Sequence, residues 1–504
     1  MHSLRKIPLF LKKTLDSPPA FRFTLLIFLF FGMELFAAPA MLIFVLWSAY
    51  LFILTMLKSG GIKRLRYRKV LYLFLTGAVV TVLFHAERNL LQNLFIIYMI
   101  AVYFFQLYGI FSEKSNLRCR KELKRILSFI VIATSILMIL GFIGLAVFPH
   151  GISWNDIHLI LFESRFVGLL FNANVAGFYA AMAVIACHLL WRLIRAEKKL
   201  SLRRKCFYIA CMLINITALF LSDSNASLLF LVVYGTFVMF YIMFRDFGKK
   251  RMHGFILRIA ATALSCVVLF ASLIFFRVIT QSQVSLAITS GHSDSQLSTG
   301  VISENGVVGI TDDEDRQNVF GHQNTNIDSG RFKIWTQSLE LFEKFPLLGI
   351  GKANIPDYAD QYIGGLRYKD FHNGLITILI SFGLVGFNLF IVFIITIARD
   401  LLRTIFRYRK KCRIDGSVPV LITAFAVAYF LYSMFEVALL VDISYRVYIF
   451  WLLLGFGMSY SAKYQRLIHD PDQTVTDLPS AVENIRKKHR LRRMLGKAKA
   501  IVKH

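Results

Sequence analysis

Long blocks of hydrophobic residues, separated by polar connections, dominate the sequence. Each block is close to the length of about 20 residues that a helix needs to cross the hydrocarbon core of a bilayer. The pattern predicts an all-α polytopic membrane protein with about twelve transmembrane helices. The predicted spans cover residues 22–37, 39–57, 69–85, 90–111, 126–148, 166–191, 206–222, 225–244, 256–277, 372–398, 418–437 and 443–461.

Basic residues concentrate in every second connection, and this sets the predicted orientation. These connections lie at residues 58–69, 114–125, 192–205, 245–258 and 399–413. Cytoplasmic loops of membrane proteins carry an excess of Lys and Arg, because the direction of insertion follows this bias. Since two apolar runs separate each basic connection from the next, both termini are predicted to be cytoplasmic. We expect a multi-pass protein of the plasma (inner) membrane.

Composition agrees with a membrane setting and changes how the charge is interpreted. The 504-residue chain is 56% hydrophobic with a mean hydropathy of +0.59, whereas soluble domains are about 45 to 50% apolar. In a soluble protein the net charge of +28 would indicate a nucleic-acid partner. Here the charges lie in predicted cytoplasmic loops, so we expect membrane lipids as partners and no nucleic acid. The six cysteines form no CxxC pair, and we expect no metal site.

A division of the chain into segments follows from these predictions. They are a cytoplasmic N-terminus (1–21), helices 1 to 9 (22–277), a long external loop (278–371), helices 10 to 12 (372–461) and a basic cytoplasmic tail (462–504). The tail suits acidic lipid headgroups. The polar stretch Gln281–Asn326 within the loop is expected to be mobile. A loop of this length is expected to carry structure or function.

The end of the loop, near residues 331–344, has the pattern of an amphipathic helix. Phe332, Trp335, Leu339 and Phe342 fall on one face at helical spacing. The aromatic and basic content suits a helix that lies on the membrane surface as part of a lid over a site. The alternative is a helix packed on neighbouring helices.

Few polar side chains on the predicted outer side have catalytic potential. His372 and Asn373 lie where the tenth helix begins, at the boundary with water. A histidine there can accept a proton near neutral pH, and the alternative is a helix-start polar residue hydrogen-bonded to backbone. Arg165 and Arg331 carry planar, permanently charged guanidinium groups that suit phosphate oxygens. Each arginine alone is also typical of an interfacial anchor.

Several motifs, taken in order, resemble the signature of the O-antigen ligase and O-antigen polymerase superfamily. SGRFKIW, FPLLGIGKAN and DFHNGLITILISFGLVG correspond to the family's G-R-x-x-x-W, P-x-x-G-x-G and H-N elements. The matching positions are Gly330, Arg331, Trp335, Pro346, Gly349, Gly351, His372 and Asn373. Upstream, SRFVGLLFNANVAGFYAAMA is similar to the family's arginine-plus-asparagine helix at Arg165, Gly168 and Asn174.

The resemblance implies a membrane glycosyltransferase that moves a glycan from a polyprenyl diphosphate carrier, such as undecaprenyl diphosphate, to a sugar hydroxyl on the outer face. The acceptor would be a glycan or a lipid-linked glycan. The implied reaction is inverting and needs no metal and no cofactor. His372 would orient or deprotonate the acceptor hydroxyl, while Arg165, assisted by Arg331, would bind the diphosphate. The implied substrate-binding residues are Asn174, Trp335 and Asn373.

Polymerase and ligase share these motifs, so both activities in polysaccharide biosynthesis of the cell envelope stay open. A transporter or flippase for polysaccharide or lipid-linked glycan is an alternative from another class, and it predicts two similar halves. No internal repeat is evident in the sequence. A non-catalytic envelope scaffold is the third possibility. Its one hint is a departure from the family pattern at Ser224 and Asn225, where relatives often have Ser-Arg.

Overall fold

A computed structural model describes most of the chain, and the described part is mostly helical. The described segments are residues 9–32, 38–57, 65–109, 116–154, 157–195, 200–244, 252–291, 331–366, 370–408 and 417–469. In chain order the helices are α1 (Leu9–Leu15), α2 (Pro18–Phe30), α3 (Ala38–Leu57), α4 (Arg68–Phe84), α5 (Leu90–Val102), α6 (Asn116–Val147), α7 (Ala173–Arg195), α8 (Leu202–Leu221), α9 (Asn225–Phe244), α10 (Met252–Gly291), α11 (Arg331–Lys344), α12 (Ile355–Ile363), α13 (Gly374–Arg403), α14 (Ser417–Tyr432) and α15 (Tyr445–His469). Between α6 and α7 lie the strands β1 (Ile152–Trp154), β2 (Ile157–Phe162) and β3 (Arg165–Gly168).

Seven of the described helices are long and apolar enough to cross a membrane. Their spans are Leu90–Leu107, Arg118–Val147, Ala173–Arg195, Leu202–Leu221, Asn225–Phe244, Leu257–Ile288 and Gly374–Phe406. Shorter apolar helices lie at Pro18–Phe30, Pro39–Thr55 and Val418–Tyr432. The prediction of a largely helical, multi-pass membrane protein is thereby confirmed. The total of about twelve spans and the cytoplasmic placement of both termini stay predictions.

The described fold divides into two compact units, each assembled from non-contiguous segments. The first unit comprises Met1–Ile126, Leu189–Leu200 and Gly330–His504. The second unit comprises Leu127–His188 and Ser201–Ser329.

In the first unit, α13 packs against α4, α11 and α15, and α15 also packs against α2 and α14. Buried apolar side chains join α11, α12 and α13 to the turn that follows α11. The members of this core cluster are Ile334, Leu341, Ile350, Ile355, Tyr358, Phe371 and Ile380. Each such side chain stabilises the fold by about 1.5 to 3 kcal/mol when it is fully buried. The cluster therefore fixes the chain on either side of the predicted H-N element.

The amphipathic helix predicted near residues 331–344 is observed as α11, but a different face is buried. The buried side chains on α11 are Ile334, Ser338 and Leu341. Of the predicted stripe, Phe332 is 65% exposed and Leu339 is 53% exposed. The helix thus packs on its neighbours through one face and leaves part of the aromatic face uncovered.

The prediction that the fold is all-α is wrong at residues 152–168, which form an antiparallel sheet in the order β1-β2-β3. Glu163 and Ser164 both have positive φ, 48° and 55°, and Phe162 pairs with Arg165 across them. Positive φ at both central residues is typical of the tight hairpin turn whose twist matches that of its strands. Residues 149–165 were predicted to be a connection between two spans, and the turn lets this connection pair as strands that extend into the start of the predicted sixth span.

The sixth predicted span is also corrected, because α7 begins at Ala173 and not at residue 166. Gly168 and Phe171 adopt left-handed conformations with φ of 57° and 59°, which are incompatible with a right-handed helix. Asn172 then caps the helix start, since its Oδ1 accepts a hydrogen bond from the Asn174 nitrogen at 2.8 Å.

Several other predicted helix ends shift. α6 begins at Asn116, well before residue 126, because its Lys, Arg, Glu and Leu residues are good helix formers. α14 ends at Tyr432, before residue 437. α10 continues to Gly291, so residues 281–291 of the stretch expected to be mobile are helical. The rest of that stretch lies outside the described residues, as do residues 1–8, Gly330 and the basic tail from residue 470.

Candidate functional site

His372 lies just before α13 in a backbone conformation that few non-glycine residues adopt. Its φ is 46°, and residues in this left-handed region persist only where surrounding contacts hold them. One such contact is with Asp370, whose Oδ1 accepts a hydrogen bond from the His372 backbone nitrogen at 2.8 Å. The same oxygen lies 3.5 Å from Nδ1 of the imidazole. A carboxylate near Nδ1 favours a proton on that nitrogen and therefore the tautomer in which Nε2 accepts.

Phe371 and Trp335 anchor the backbone immediately before His372. The Phe371 side chain is fully buried in the core cluster. Its carbonyl oxygen accepts a hydrogen bond from Trp335 Nε1 at 3.1 Å. The Trp335 ring is tilted against Phe435, with the two ring centroids 6.5 Å apart. In this arrangement Trp335 helps to position the residue next to His372.

Asn373 is the N-cap of α13. Its Oδ1 accepts hydrogen bonds from the backbone nitrogens of Leu375 and Ile376, each at 3.0 Å. These bonds satisfy N–H groups that have no partner within the helix. The next residue, Gly374, donates its backbone N–H to Ser433 at 2.7 Å. Asn373 is thus a helix-start residue bonded to backbone, the alternative that the sequence left open for His372. His372 itself contacts Asp370.

Arg331, the first residue of α11, faces a buried acid. Its Nη2 lies 3.8 Å from Oε1 of Glu436, and the Glu436 side chain is 6% exposed. Oε2 of the same carboxylate accepts a hydrogen bond from Arg446 at 2.9 Å. Arg446 also lies 3.5 Å from Asp442. Two arginines and two acids thus form a charge-balanced network, and the acids lie in the segment between α14 and α15 rather than inside a helix.

Lys352 adds another cation to the surroundings of His372. It begins the short 3₁₀ turn Lys352–Asn354. Burial lowers the pKa of Lys352, because it penalises the charged amine, and the carboxylates of Asp370 and Asp442 act in the opposite direction. The Lys352 amine is therefore electrostatically coupled to the carboxylate that contacts His372. We call Arg331, Trp335, Lys352, Asp370 and His372 the His372 group.

The glycine-rich turn PLLGIG docks onto a kink in α13. Gly383 inside that helix has φ 60° and ψ −169°, which interrupts the helical hydrogen bonds. Four backbone bonds to the turn replace them: Ile350 N to Ile380 O at 3.1 Å, Gly351 N to Ser381 O at 2.9 Å, Leu384 N to Pro346 O at 2.8 Å, and Val385 N to Leu347 O at 3.1 Å. The motif therefore has a structural explanation in backbone packing against the helix that His372 precedes.

The second unit holds the other predicted site residues, Arg165 and Asn174. Arg165 begins β3, and not the helix suggested by the resemblance. Its Nη2 donates to Asn174 Oδ1 at 2.7 Å and to the Asp223 carbonyl oxygen at 3.4 Å, and its Nε donates to the Ser222 carbonyl oxygen at 3.1 Å. Asn174, on the first turn of α7, therefore orients the guanidinium against the turn between α8 and α9.

Arg277 is a site residue that the sequence interpretation missed. It lies on α10, and its Nη1 donates to Asn225 Oδ1 at 2.8 Å. Its Nη2 pairs with the Asp223 carboxylate, which also accepts a hydrogen bond from Gln281 at 3.3 Å. The available signal was the pair Arg277 and Gln281, four residues apart at the outer end of an apolar run. We call Arg165, Asn174, Asp223, Asn225, Arg277 and Gln281 the Arg165 group.

The two groups differ in the chemistry that they offer. The His372 group supplies a candidate proton acceptor whose backbone is fixed on both sides. The Arg165 group supplies two guanidinium groups that both contact Asp223, and their planar N–H donors suit the oxygens of an anion. Within the described segments, no group of three or more His, Cys, Asp or Glu side chains is arranged to hold a metal ion.

The fold and these groups define a multi-pass membrane protein with two candidate groups of functional side chains. The family model described as O-antigen ligase matches residues 210–391 of the chain. This match confirms the predicted resemblance to the O-antigen ligase and O-antigen polymerase superfamily. Members of that superfamily are glycosyltransferase-like enzymes that use lipid-linked glycans. It includes Arg277, Arg331, Trp335, His372 and Asn373, whereas Arg165 and Asn174 precede it. No curated protein matches the chain significantly.

Proposed function

We propose that the protein transfers a glycan from a polyprenyl diphosphate carrier to a sugar hydroxyl at the outer face of the plasma (inner) membrane, as a polysaccharide polymerase or an O-antigen ligase. The observation that carries this proposal is the placement of His372 inside the O-antigen ligase match, held by Asp370 and by the anchored Phe371. A fixed imidazole at a helix start is suited to general-base chemistry.

In the proposed reaction, His372 accepts the proton of the acceptor hydroxyl. The hydroxyl oxygen then forms the new bond to the anomeric carbon of the donor glycan. The bond between that carbon and the diphosphate oxygen breaks, and the polyprenyl diphosphate leaves with the electron pair. Attack opposite the leaving group inverts the anomeric configuration. Because the leaving group is already an anion of low basicity, neither a metal nor a cofactor is needed in this scheme.

Arg165 binds the diphosphate in this proposal and stabilises the charge that develops as it leaves. Its support is the orientation of the guanidinium by Asn174 at 2.7 Å. Arg331 has a smaller part, because Glu436 already lies 3.8 Å from its guanidinium. Besides the substrate-binding roles proposed for them, Trp335 and Asn373 help to position His372, since Trp335 Nε1 donates to the Phe371 carbonyl oxygen and Asn373 Oδ1 caps α13.

A flippase and an envelope scaffold are the alternative functions. A proton-coupled transporter would use acids that exchange protons during transport. Glu436 and Asp442 instead pair with Arg446 at 2.9 and 3.5 Å, so both carboxylates are engaged in ion pairs. A scaffold would not depend on the His372 imidazole. Both alternatives therefore predict that removal of the imidazole leaves the function of the protein unchanged.

The test is complementation of a deletion strain with the wild type, His372→Ala or Arg165→Ala, with the membrane abundance of each variant measured. His150→Ala is the matched control, because His150 is an exposed histidine in the turn before β1. The proposal predicts lost polysaccharide and accumulated lipid-linked donor for the two site variants, and normal polysaccharide for the control. Normal polysaccharide from His372→Ala at normal abundance would contradict the catalytic assignment.

A further inference from the structure

The turn between α8 and α9 gathers an unusual concentration of charge for the end of two apolar helices. Arg165 approaches the backbone of this turn, with Nε 3.1 Å from the Ser222 carbonyl oxygen. Arg277 approaches its side chains, through Asn225 at 2.8 Å and the Asp223 carboxylate. Asp223 is thus contacted by both guanidinium groups, one at its carbonyl oxygen and the other at its carboxylate.

Two guanidinium groups converge on this turn. Arg165 and Arg277 contribute two positive charges, and Asp223 contributes one negative charge. Like charges at short range repel more strongly in a poorly solvated site than in water, and the Arg277 side chain is only 19% exposed. A ligand with two or more negative charges would relieve this repulsion, and planar guanidinium groups suit the oxygens of phosphates.

Asp223 itself adopts a conformation that tertiary contacts must enforce. Its φ is 53°, and a non-glycine residue in the left-handed region is strained. The carboxylate is 6% exposed and is held by Arg277 and by Gln281 Nε2 at 3.3 Å. It therefore pairs with Nη2 of the Arg277 guanidinium in the same way as a phosphate oxygen would.

We infer that Arg277 is the second phosphate-binding arginine of the donor site and that the Asp223 carboxylate is its resident counter-ion, which the diphosphate displaces. The inference rests on the proposed function. Asn225 stands where the family pattern has an arginine, and the structure brings the Arg277 guanidinium to that side chain from α10. The guanidinium at this turn is therefore supplied by α10 and not by α9.

The test is binding of geranylgeranyl diphosphate, a short isoprenyl diphosphate probe, to the full chain in detergent. Arg277→Gln is expected to weaken binding about tenfold or more, since the charge-assisted hydrogen bonds to the diphosphate are lost. Arg258→Gln, the same change at the other end of α10, is the matched control and is expected to bind as the wild type does. Asp223→Asn is expected to bind more tightly, because the competing carboxylate is gone, and a merely structural role of Asp223 predicts no such gain.

A double variant that exchanges the residues at positions 225 and 277 tests the role of Arg277 even if Arg277→Gln folds poorly. Arg277→Asn combined with Asn225→Arg returns a guanidinium to the same turn from α9 and is expected to recover binding relative to Arg277→Asn alone. Wild-type affinity in Arg277→Gln would overturn the assignment of Arg277 while leaving the proposed function intact. A wild type that does not bind the probe would overturn both. If phosphatidylglycerol vesicles compete for the site as well as unlabelled geranylgeranyl diphosphate does, the site binds lipid headgroups. That result would overturn the assignment to the carrier.

Discussion

Gly349 and Gly383 pack backbone against backbone, and a Cβ on Gly349 would lie 2.5 Å from the Gly383 nitrogen. Both residues have positive φ, 71° and 60°. This contact joins the glycine-rich turn after α11 to the kink of α13. It explains why both positions need glycine: one for the conformation and the close approach of the turn, the other for the kink that receives it.

Gly349→Ala is expected to destabilise the protein much more than Gly364→Ala. The two glycines have nearly the same φ, 71° and 72°, but a Cβ on Gly364 would meet nothing within 4 Å. The control therefore carries only the conformational penalty of about 1 to 2 kcal/mol, whereas Gly349→Ala adds about 1 to 3 kcal/mol of overpacking. Thermal unfolding in detergent measures the difference, and equal melting temperatures would contradict the docking of the turn.

The sequence predicted the membrane class and the position of α11, and it singled out Arg331, Trp335 and His372, because apolar blocks and ordered motifs are local signals. It did not single out Lys352 or Asp370, whose relation to His372 depends on the fold. It did not predict the hairpin before Arg165, since the apolar run HLILF fits a strand and a buried helix equally well over so few residues. It also missed Arg277, because the partners of Arg277 at positions 223 and 225 are distant in the chain. Long-range pairing of this kind leaves no periodic pattern in either segment.

Removal of one partner from a buried ion pair in the first unit is expected to destabilise the protein strongly. Arg22 Nε and Nη2 donate to the two oxygens of Glu122 at 2.6 and 2.9 Å, and both residues are buried. Glu122→Gln is expected to lower the free energy of unfolding by about 3 to 5 kcal/mol, because an uncompensated guanidinium stays buried. The control Glu343→Gln, at an exposed site on α11, is expected to change it by less than about 0.5 kcal/mol.

The double variant Arg22→Met with Glu122→Leu distinguishes the cause of that loss. It removes both charges together, so it is expected to be clearly more stable than Glu122→Gln. A double variant that is as unstable as the single one would show that shape, and not the unpaired charge, determines the effect.

Trp335→Phe is expected to lower turnover while leaving the fold intact. The substitution removes the hydrogen bond from Nε1 to the Phe371 carbonyl oxygen, a bond of 3.1 Å next to His372. Small misplacements of a catalytic group reduce rates by up to about a hundredfold, so we expect a loss of about tenfold or more in kcat at similar KM. Glu340→Gln, on the exposed side of the same helix, is the control. Unchanged kcat in Trp335→Phe would show that the bond does not position His372.

Lys352 gives the protein a predicted alkaline limit. Burial lowers its pKa, so the amine loses its charge at a lower pH than a free lysine does. Activity is then expected to fall as the pH rises through this lowered pKa, because the cation beside Asp370 is lost. Lys352→Arg is expected to shift the fall to higher pH, since a guanidinium stays charged.

Over the pH range in which activity falls, the contribution of Lys352 to the stability of the protein is expected to rise. Between the lowered pKa of Lys352 and its ordinary value, the unfolded chain binds more protons at this residue than the folded chain. The contribution of Lys352 to the free energy of unfolding therefore rises with pH. If activity and melting temperature instead fall together as the pH rises, and Lys352→Arg changes neither, the alkaline limit is caused by general unfolding and not by Lys352.

The most direct test of the catalytic account is an assay of glycan transfer by the purified protein, from a polyprenyl diphosphate carrier to an acceptor, in a chelating buffer. The product and the released polyprenyl diphosphate are both quantified. The account predicts that the wild type and His150→Ala form product with inverted anomeric configuration. It predicts that His372→Ala binds the donor normally and transfers at least about a hundredfold more slowly, as expected for a general base. Transfer by His372→Ala at the wild-type rate would contradict it.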